Sequence, residues 1–589
     1  MRILGLSSFT HDTSAALVED GETRAAIEES KLVRSKGTKG IPEAAIQFCM
    51  RKAGASWQDI DYVAVSTRPA RGWLRRSLAG AKLSPLSPVA AAYFQISEVG
   101  RLARELGNFR VLRHANESFP PKVLRFEHHL CHAASAFFPS PFERALILTI
   151  DEEGDGKSVS LAIGEGNRVR IIRTLPHPHS LAWLYSQVTQ LLGFVPHLEE
   201  HKTQWLSLHG QPAYQDAFRD LMRRRVGDLP RLDSSYIEHG LGGHFELCST
   251  FCRRVGIAGE KPKLTESQRR ALAASLQLLC TEIVTEIIDA ARKEHGIDYI
   301  CLAGGLFQNT LLVHSIERHL GLNKVFVPPA PGNAGNSVGA ALLTHHHVLR
   351  ATRKRGASNI YLGPSYSRHE IKNTLDNCKA RSSLQTTDER RFESAAQLLQ
   401  AGKIIGWFQG AAEFGPRALG NRSVLASPWA PYVKENLNDF IKQRESFRPF
   451  AVSVPDEDAA RFFEYSQLCC SMSSMARVRQ DVAPLLEGFV LPDNLIRLHI
   501  VEKSSNPALW GLLKHFARYA PAPILLNTSF NLFGEPLVVS PLDAIRSYAC
   551  SGIDALMINS FLLSKAPLPV VSRMPEYSVR VSTPGIGRA

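Results

Sequence analysis

Two histidines four positions apart, His128 and His132, precede an aspartate, Asp151, at the end of the apolar run Ala145 to Ile150. On a helix that spacing puts both imidazoles on one face. Two histidines and one carboxylate leave coordination positions open, which is the donor set of a catalytic divalent cation such as iron, manganese or zinc. The spacing equally fits two satisfied histidines on a packed helix, and His129 beside them is free to face a substrate instead. A different chemistry gathers in GAAEFGPRALGNRSVL, from Gly410 to Leu425, where three glycines, a proline and two arginines follow the strand-like run Ile404 to Phe408. Glycine lets backbone N–H groups approach a ligand, and guanidinium forks such as Arg417 and Arg422 grip phosphate or carboxylate oxygens. The segment is an anion cradle or, taken alone, a solvated surface turn. NDFIKQRESFRPFAV, from Asn438 to Val452, adds Lys442, Arg444 and Arg448 among aromatic residues. ILLNTSFNLFGEPLV, from Ile524 to Val538, runs a buried strand into a turn of Asn527, Thr528 and Ser529, rich in hydrogen-bonding groups.

The elements that must hold these groups follow from periodicity. Ile3 to Ile27 runs strand, loop with Asp12, strand, Asp-Gly turn, strand, and Leu146 to Ile172 repeats that order with Asp151 and Asp155 in its loop. Duplicated hairpins of this kind suggest two related lobes. Thr265 to His295 predicts a helix: Thr265 and Gln268 form a capping box, Leu272, Leu276, Leu279, Ile283 and Ile287 share a face, and Gly296 can close it. It leads to the strand Tyr299 to Ala303 and the pair Gly304–Gly305, while PPAPGNAGNSVGAAL, from Pro328 to Leu342 and including Gly335, opens a further helix. Each loop is either a tight βα turn or a place where backbone is held against a nucleotide. From His345 to Arg391 the pattern loosens into connecting structure.

A chain of 589 residues, 44% hydrophobic and 21% charged, has the composition of a globular enzyme with several cores. No apolar run reaches the ~18 residues of a membrane span. The amino terminus enters a strand-like ILGL rather than a secretion signal, and ten cysteines lack framework spacing, as expected of reduced thiols in a cytoplasm. The net charge of +13 is spread along the chain and suits anionic ligands, nucleotide or nucleic acid.

EFGPRALGNRSVL, RESFRPFAV and LNTSFNLFGEP resemble the carboxy-terminal signature of the carbamoyltransferase family that includes the nodulation-factor, cephamycin and tobramycin O-carbamoyltransferases. ILGLSSFTHDTSAALVEDG (Ile3 to Gly21), EHHLCHAASAFF (Glu127 to Phe138) and LAGGLFQN (Leu302 to Asn309) are similar to its amino-terminal half, so the resemblance covers about residues 1 to 570. It implies an α/β protein: an actin-like or sugar-kinase-like ATPase fold of two related lobes over residues 1–350, a connecting segment 351–392, a YrdC-like α/β domain over 393–570 and a tail 571–589. It further implies a transferase that makes carbamoyl-adenylate from carbamoyl phosphate and ATP, then passes the carbamoyl group to a hydroxyl or amine of a small natural product. On that resemblance Arg417, Lys442, Arg448 and Arg497 bind phosphate, and Asn527, Gly304, Gly305, Asn309, Asn333 and Gly335 contribute to the nucleotide sites. His128, His132 and Asp151 then hold a divalent metal, iron foremost, against nucleotide phosphate. His11 and Asp12 lie at the interlobe face, where a histidine of near-neutral pKa takes the acceptor's proton, and Lys202 neutralises phosphate. Neither nucleic acid nor a membrane is expected as a partner.

Three departures qualify the resemblance. Asn333 stands where relatives carry an aspartate that is the fourth metal ligand, so metal affinity should fall. Gln204 and Trp205 replace Met-Gly, and Trp205 is expected to reshape the acceptor pocket. Phe533 occupies a loop position often basic in relatives. Two other readings stay open at this stage: a tRNA-modifying factor of the threonylcarbamoylation type, and a repurposed binding protein of the same fold.

Overall fold

The short, nearly continuous apolar runs of the first 28 positions form three antiparallel strands, β1 (Arg2–Ser7), β2 (Ser14–Glu19) and β3 (Glu22–Glu28). Two parallel strands, β4 (Tyr62–Val65) and β5 (Lys122–Arg125), extend them into a sheet of order β3-β2-β1-β4-β5. The same plan recurs. After helix α1 (His128–Phe137), the antiparallel strands β6 (Arg144–Gly154), β7 (Lys157–Glu165) and β8 (Arg168–Pro176) are extended by the parallel strands β9 (Ile300–Ala303) and β10 (Val325–Phe326), giving β8-β7-β6-β9-β10. The internal echo in the sequence is therefore a duplicated sheet, the two-lobed arrangement expected of an actin-like fold. The computed structural model describes residues 1–8, 11–68, 121–223, 229–239, 245–257, 264–356 and 359–565; the expected tail 571–589 lies outside them.

Helix α2 (Glu266–His295) has the predicted capping box between Thr265 and Gln268 and ends at Gly296 in the left-handed conformation. By length and composition it contains an 18-residue window apolar enough to cross a membrane, although Ser275, Gln277, Thr281 and Glu282 interrupt the apolar run. Its Leu272, Leu276, Leu279 and Ile283 instead pack into the core of the second lobe with Trp183, Phe218 and Phe307. Helices α3 (Thr310–Leu320) and α4 (Asn336–Leu342) follow the two glycine-containing loops. Helix α4 lies so close to α1 that a Cβ on Gly339 would sit 2.0 Å from the Cys131 carbonyl oxygen, so glycine alone permits this contact.

The carboxy-terminal half is built on one ten-stranded mixed sheet. Its strands are β11 (Ser383–Leu384), β12 (Ile405–Phe408), β13 (Arg422–Ala426), β14 (Ala451–Pro455), β15 (Phe463–Glu464), β16 (Ala476–Val478), β17 (Leu495–Val501), β18 (Leu525–Ser529), β19 (Ala555–Ile558) and β20 (Phe561–Ser564). They run in the order β11-β20-β19-β12-β13-β18-β14-β17-β16-β15. Asn527 to Ser529 thus belong to β18 rather than to a turn. The loosely patterned stretch holds a helix, Arg368–Asn377, capped by Ser367 and Glu370, whose Ile371 and Leu375 enter the carboxy-terminal core.

The two halves meet at the glycine-rich signature. Lys31 is 6% exposed and donates to the carbonyls of Glu413 (2.9 Å) and Gly415 (2.8 Å) while pairing with Glu28 at 2.9 Å. Glu28 in turn accepts the Gly415 N–H at 2.8 Å. Removing one member leaves the other as an uncompensated buried charge. Lys31→Ala is expected to lower unfolding stability by about 3–5 kcal/mol, whereas the double change Glu28→Gln with Lys31→Met recovers most of that loss. Urea denaturation of the three proteins checks this; equal midpoints for Lys31→Ala and wild type would remove the pair from its assigned role.

Candidate functional site

The spacing of His128 and His132 is realised on α1, the first turn of which is fixed by Asp155: its carboxylate accepts the His128 backbone N–H at 2.9 Å. Both histidines present Nε2 to one carboxylate oxygen, Asp151 Oδ2, at 3.1 and 3.3 Å, and the two Nε2 atoms lie 3.1 Å apart. All three side chains are buried. Burial opposes the Asp151 charge, but the two imidazoles hold its carboxyl well below the usual range. The histidines divide: burial lowers His132 despite Asp151, whereas burial of His128 is overcome by the bond to Asp151 together with the charges of Asp151, Asp155 and Glu153, which raise it. Converging lone pairs of this kind are a metal donor set. Two amides complete the surround. Asn336 Nδ2 lies 3.3 Å from His128 Nε2, Asn333 sits between His11 (3.2 Å) and His132, and both Asn carbonyl oxygens are buried without a partner. An amide turned over at either residue presents a neutral oxygen to a cation, so the residues fit a divalent metal. Asn336 is a contributor that sequence reasoning missed. His129 does not face a substrate: it is 0% exposed and bonds to the Lys157 carbonyl.

Asp151 also accepts the Gly305 N–H at 3.1 Å, which ties the Gly-Gly loop to the cluster. Gly304, at φ 98°, passes so close to β6 that a Cβ would meet the Ile150 carbonyl, and its N–H bonds to Pro331. Asn309 caps α3 through the Leu312 N–H. Of these residues Asp151, Gly305 and Asn309 reach a chamber of about 410 Å³, lined from the amino-terminal half also by His11, Asp12 and Asn333 and from the other half by Arg417 and Arg448, whereas His128, His132 and Gly304 do not line it. Within it His11 Nδ1 lies 3.0 Å from Asp12, and its ring stands 5.6 Å from that of His197, which pairs with Glu152 at 2.9 Å. Burial works against a charged His11, but Asp12, Asp151 and Glu152 together raise it to about 9, above the near-neutral value expected. The His197–Glu152 pair carries no motif in the sequence. Lys31 and Lys36, which also line the chamber, had their signal in the basic segment SKLVRSKGTKG.

The cationic wall continues into the carboxy-terminal half. Arg417 donates to the Gln308 carbonyl at 3.0 Å, and burial, then the charge of Arg448, lowers it to about 10. Burial followed by Arg448 lowers Arg444 to about 9, and Arg497 is depressed by burial and by Arg417, Arg444 and Arg448. Arg444 Nη2 and Arg497 Nε have no partner. Half-buried guanidiniums that depress one another, with donors unused, are compensated by a bound polyanion. Several expected residues fall outside the chamber lining. Lys442 is buried on Ser529 and Asn531, and Asn527 bonds to Ser453 inside the sheet. Lys202 is held by Glu199 (2.7 Å) and Glu445 (2.6 Å), so its charge is already neutralised. Gly335 faces the opposite side of its loop.

Two expectations are overturned. Arg422 grips no ligand: fully buried, it donates to the carbonyls of Gln409, Gly410, Asn421, Pro364 and Val539 and stacks on Phe408. Trp205 does not enter the chamber; it packs with Leu311, Met475 and Leu495 between the halves, beneath Arg497 at 5.9 Å. Gln204 does reach the lining. Phe533 is largely exposed.

Comparison with known proteins agrees with these motifs. Residues 2–342 match the model of the carbamoyltransferase N-terminus and residues 396–565 that of the carbamoyltransferase C-terminus. An uncharacterized protein of Synechocystis is 34% identical, over 96% of this chain and 97% of that one. Nodulation protein NolNO of Sinorhizobium fredii is 33% identical over 95% of this chain and 80% of its own, and nodulation protein NolO of Bradyrhizobium diazoefficiens 34% identical over 75% and 79%. Among solved structures, full-length HypF in the phosphate- and nucleotide-bound form matches at 12% identity and TM-score 0.32 over 61% of this chain and 47% of that one, too distant to carry an argument.

The donor geometry makes a graded prediction. His132→Ala should weaken binding of Fe(II), Mn(II) and Zn(II) at least tenfold in equilibrium dialysis. Asn333→Asp should tighten it, because a full charge replaces a dipole beside the same histidines. Dialysis with metal analysis showing equal occupancy in all three proteins would mean that the cluster is not a cation site.

Proposed function

We propose a two-step, ATP-dependent reaction for this chain, which belongs to the carbamoyltransferase family and is a transferase of the carbamoyl group. In the first step the arginines of the carboxy-terminal half, Arg417, Arg444, Arg448 and Arg497, bind the phosphates of ATP and carbamoyl phosphate. Water attacks the phosphorus of carbamoyl phosphate and the P–O bond to the carbamoyl group breaks, giving inorganic phosphate and carbamate; a carbamate oxygen then attacks the α-phosphorus of ATP, and pyrophosphate departs, leaving carbamoyl-adenylate. In the second step an acceptor hydroxyl or amine adds to the carbamoyl carbon, AMP departs, and the acceptor's proton passes to a base. The observation that carries this reading is the shared chamber, which has Arg417 and Arg448 on one wall and His11, Asp151 and Asn333 on the other. Carbamate and its adenylate are lost to water, so an enclosed path between the sites preserves them.

The chamber's residues suit these roles. Arg448 reaches the chamber from the arginine cluster, positioned to keep hold of a phosphate during transfer. Asp12 orients the His11 ring so that Nε2 faces the amide of Asn333. A divalent cation held by His128, His132 and Asp151 would supply charge against a nucleotide phosphate and relieve the carboxylate field that keeps His11 protonated. Gln204, bonded to Thr310 at 2.9 Å, and His201 set the polarity of the acceptor's side. A small natural product is the acceptor class that fits a chamber of this volume, and ten free thiols agree with a cytoplasmic setting.

Arg417→Ala and Arg448→Ala should each reduce AMP formation from ATP and carbamoyl phosphate at least tenfold, because each charge-assisted bond to a dianion is worth roughly 1.5–3 kcal/mol. His132→Ala should instead preserve pyrophosphate release and lose transfer to the acceptor. Separate assays of the two half-reactions test both statements; unchanged affinity for carbamoyl phosphate in the arginine variants would refute the assignment.

A further inference from the structure

Behind the reaction chamber lies a larger cavity of about 1100 Å³, between the edge of the second lobe and the carboxy-terminal sheet. The segment Pro328 to Gly335, which carries Asn333, separates the two, and Ala330 lines both. Most of the cavity wall is apolar, with Phe138, Phe142, Phe326, Val327, Val338 and Phe414 contributing rings and branched chains. Several polar and charged residues interrupt it, among them Glu22, Arg24, Glu317, Lys354 and Glu502. Glu317 on α3 is 1% exposed, lines the cavity, and has neither carboxylate oxygen hydrogen-bonded.

A buried carboxyl without a partner is costly, and such groups are retained where a ligand completes them. Among the described residues Glu317 makes no ion pair; the adjacent Arg318 turns away to Glu464. Burial raises its pKa, partly offset by the nearby Ser474 and Ser466, although neither hydroxyl is in hydrogen-bonding geometry with it and Ser474 Oγ is itself unpartnered. The wall carries two other carboxylates, Glu502 and Glu22. Arg24 and Lys354, at another part of the wall, are engaged by Glu22.

We propose that this cavity is a binding site for an organic ammonium ligand, whose protonated amine pairs with Glu317 and whose apolar body lies against the phenylalanine-lined wall. The site is separate from the carbamoyl-transfer chamber and needs neither ATP nor carbamoyl phosphate. An uncharged analogue of the same shape keeps the apolar contacts but leaves the carboxylate unpaired, so the amine itself should dominate recognition.

The test is calorimetric titration of the full-length protein at neutral pH, without nucleotide, using 2-phenylethylammonium chloride and, as the neutral isostere, 2-phenylethanol. Wild type should bind the ammonium saturably and at least tenfold more tightly than the alcohol. Glu317→Gln should lose that preference while keeping or raising the thermal midpoint, because it removes an unpaired buried carboxyl. Absence of saturable binding, or equal affinity for the two probes in wild type, would overturn the proposal without requiring any variant to fold. A lowered midpoint in Glu317→Gln together with unchanged ammonium binding would overturn it too, assigning Glu317 to the packing of the interface.

Discussion

The buried bridge from Glu28 and Lys31 to the backbone of Glu413 and Gly415 is the contact on which the rest of the architecture depends. A lysine taken out of water must find both a counter-charge and acceptors for its remaining protons. Lys31 finds them on both sides of the join, the carboxylate from its own half and two carbonyls from the other. The signature loop can offer those carbonyls only because it is held in an unusual shape. Glu413 Oε1 accepts the N–H groups of Leu419, Asn421 and Arg422, and Gly410, Gly415 and Gly420 all take positive φ values, 49°, 114° and 94°. Arg422 then fastens the loop's exit by five carbonyl contacts.

From that bridge follows the position of Arg417, which crosses to the Gln308 carbonyl and so stands in the amino-terminal chamber although its chain belongs to the carboxy-terminal half. The chamber thereby joins two opposite electrostatic deficits. On one side a carboxylate and two imidazoles converge with two amide oxygens unpartnered. On the other, several guanidiniums lower one another's basicity, with donors unused. A cation would relieve the first and a polyanion the second, so the nucleotide phosphate and metal of the proposed reaction would satisfy both at once. The largely apolar cavity behind Pro328 to Gly335 has a third character and lies outside this balance.

Much of the local structure was legible in the chain. The capping box at Thr265, the helical face of α2, the strand before Gly304 and the i, i+4 pair on α1 each depend on neighbours within a few residues, where periodicity and capping chemistry act directly. The duplicated hairpins could be recognised because an internal repeat preserves pattern even where residues diverge. Errors came where side chains of like chemistry have different fates. Arg422 and Arg417 are five positions apart in one motif; one became a strut and the other faces the chamber. Lys202 carries the charge expected of a phosphate ligand, yet Glu445, far along the chain, neutralises it. Trp205 was assigned to the acceptor pocket by its place in a segment, but its helix turns it to the interface.

By itself, then, the sequence determined the elements, the repeat, the family and the types of chemistry present, because these are written in residue identity and short-range spacing. Only the tertiary structure decided which groups meet. The contacts of Lys31 with Glu413, Arg417 with Gln308 and Asn333 with His11 span 382, 109 and 322 residues. Partners at such separations are chosen by the packing of lobes and sheets, and no local periodicity encodes them. The same holds for burial: whether an arginine, a lysine or Glu317 is paired, solvated or left for a ligand depends on what the other half of the molecule brings against it.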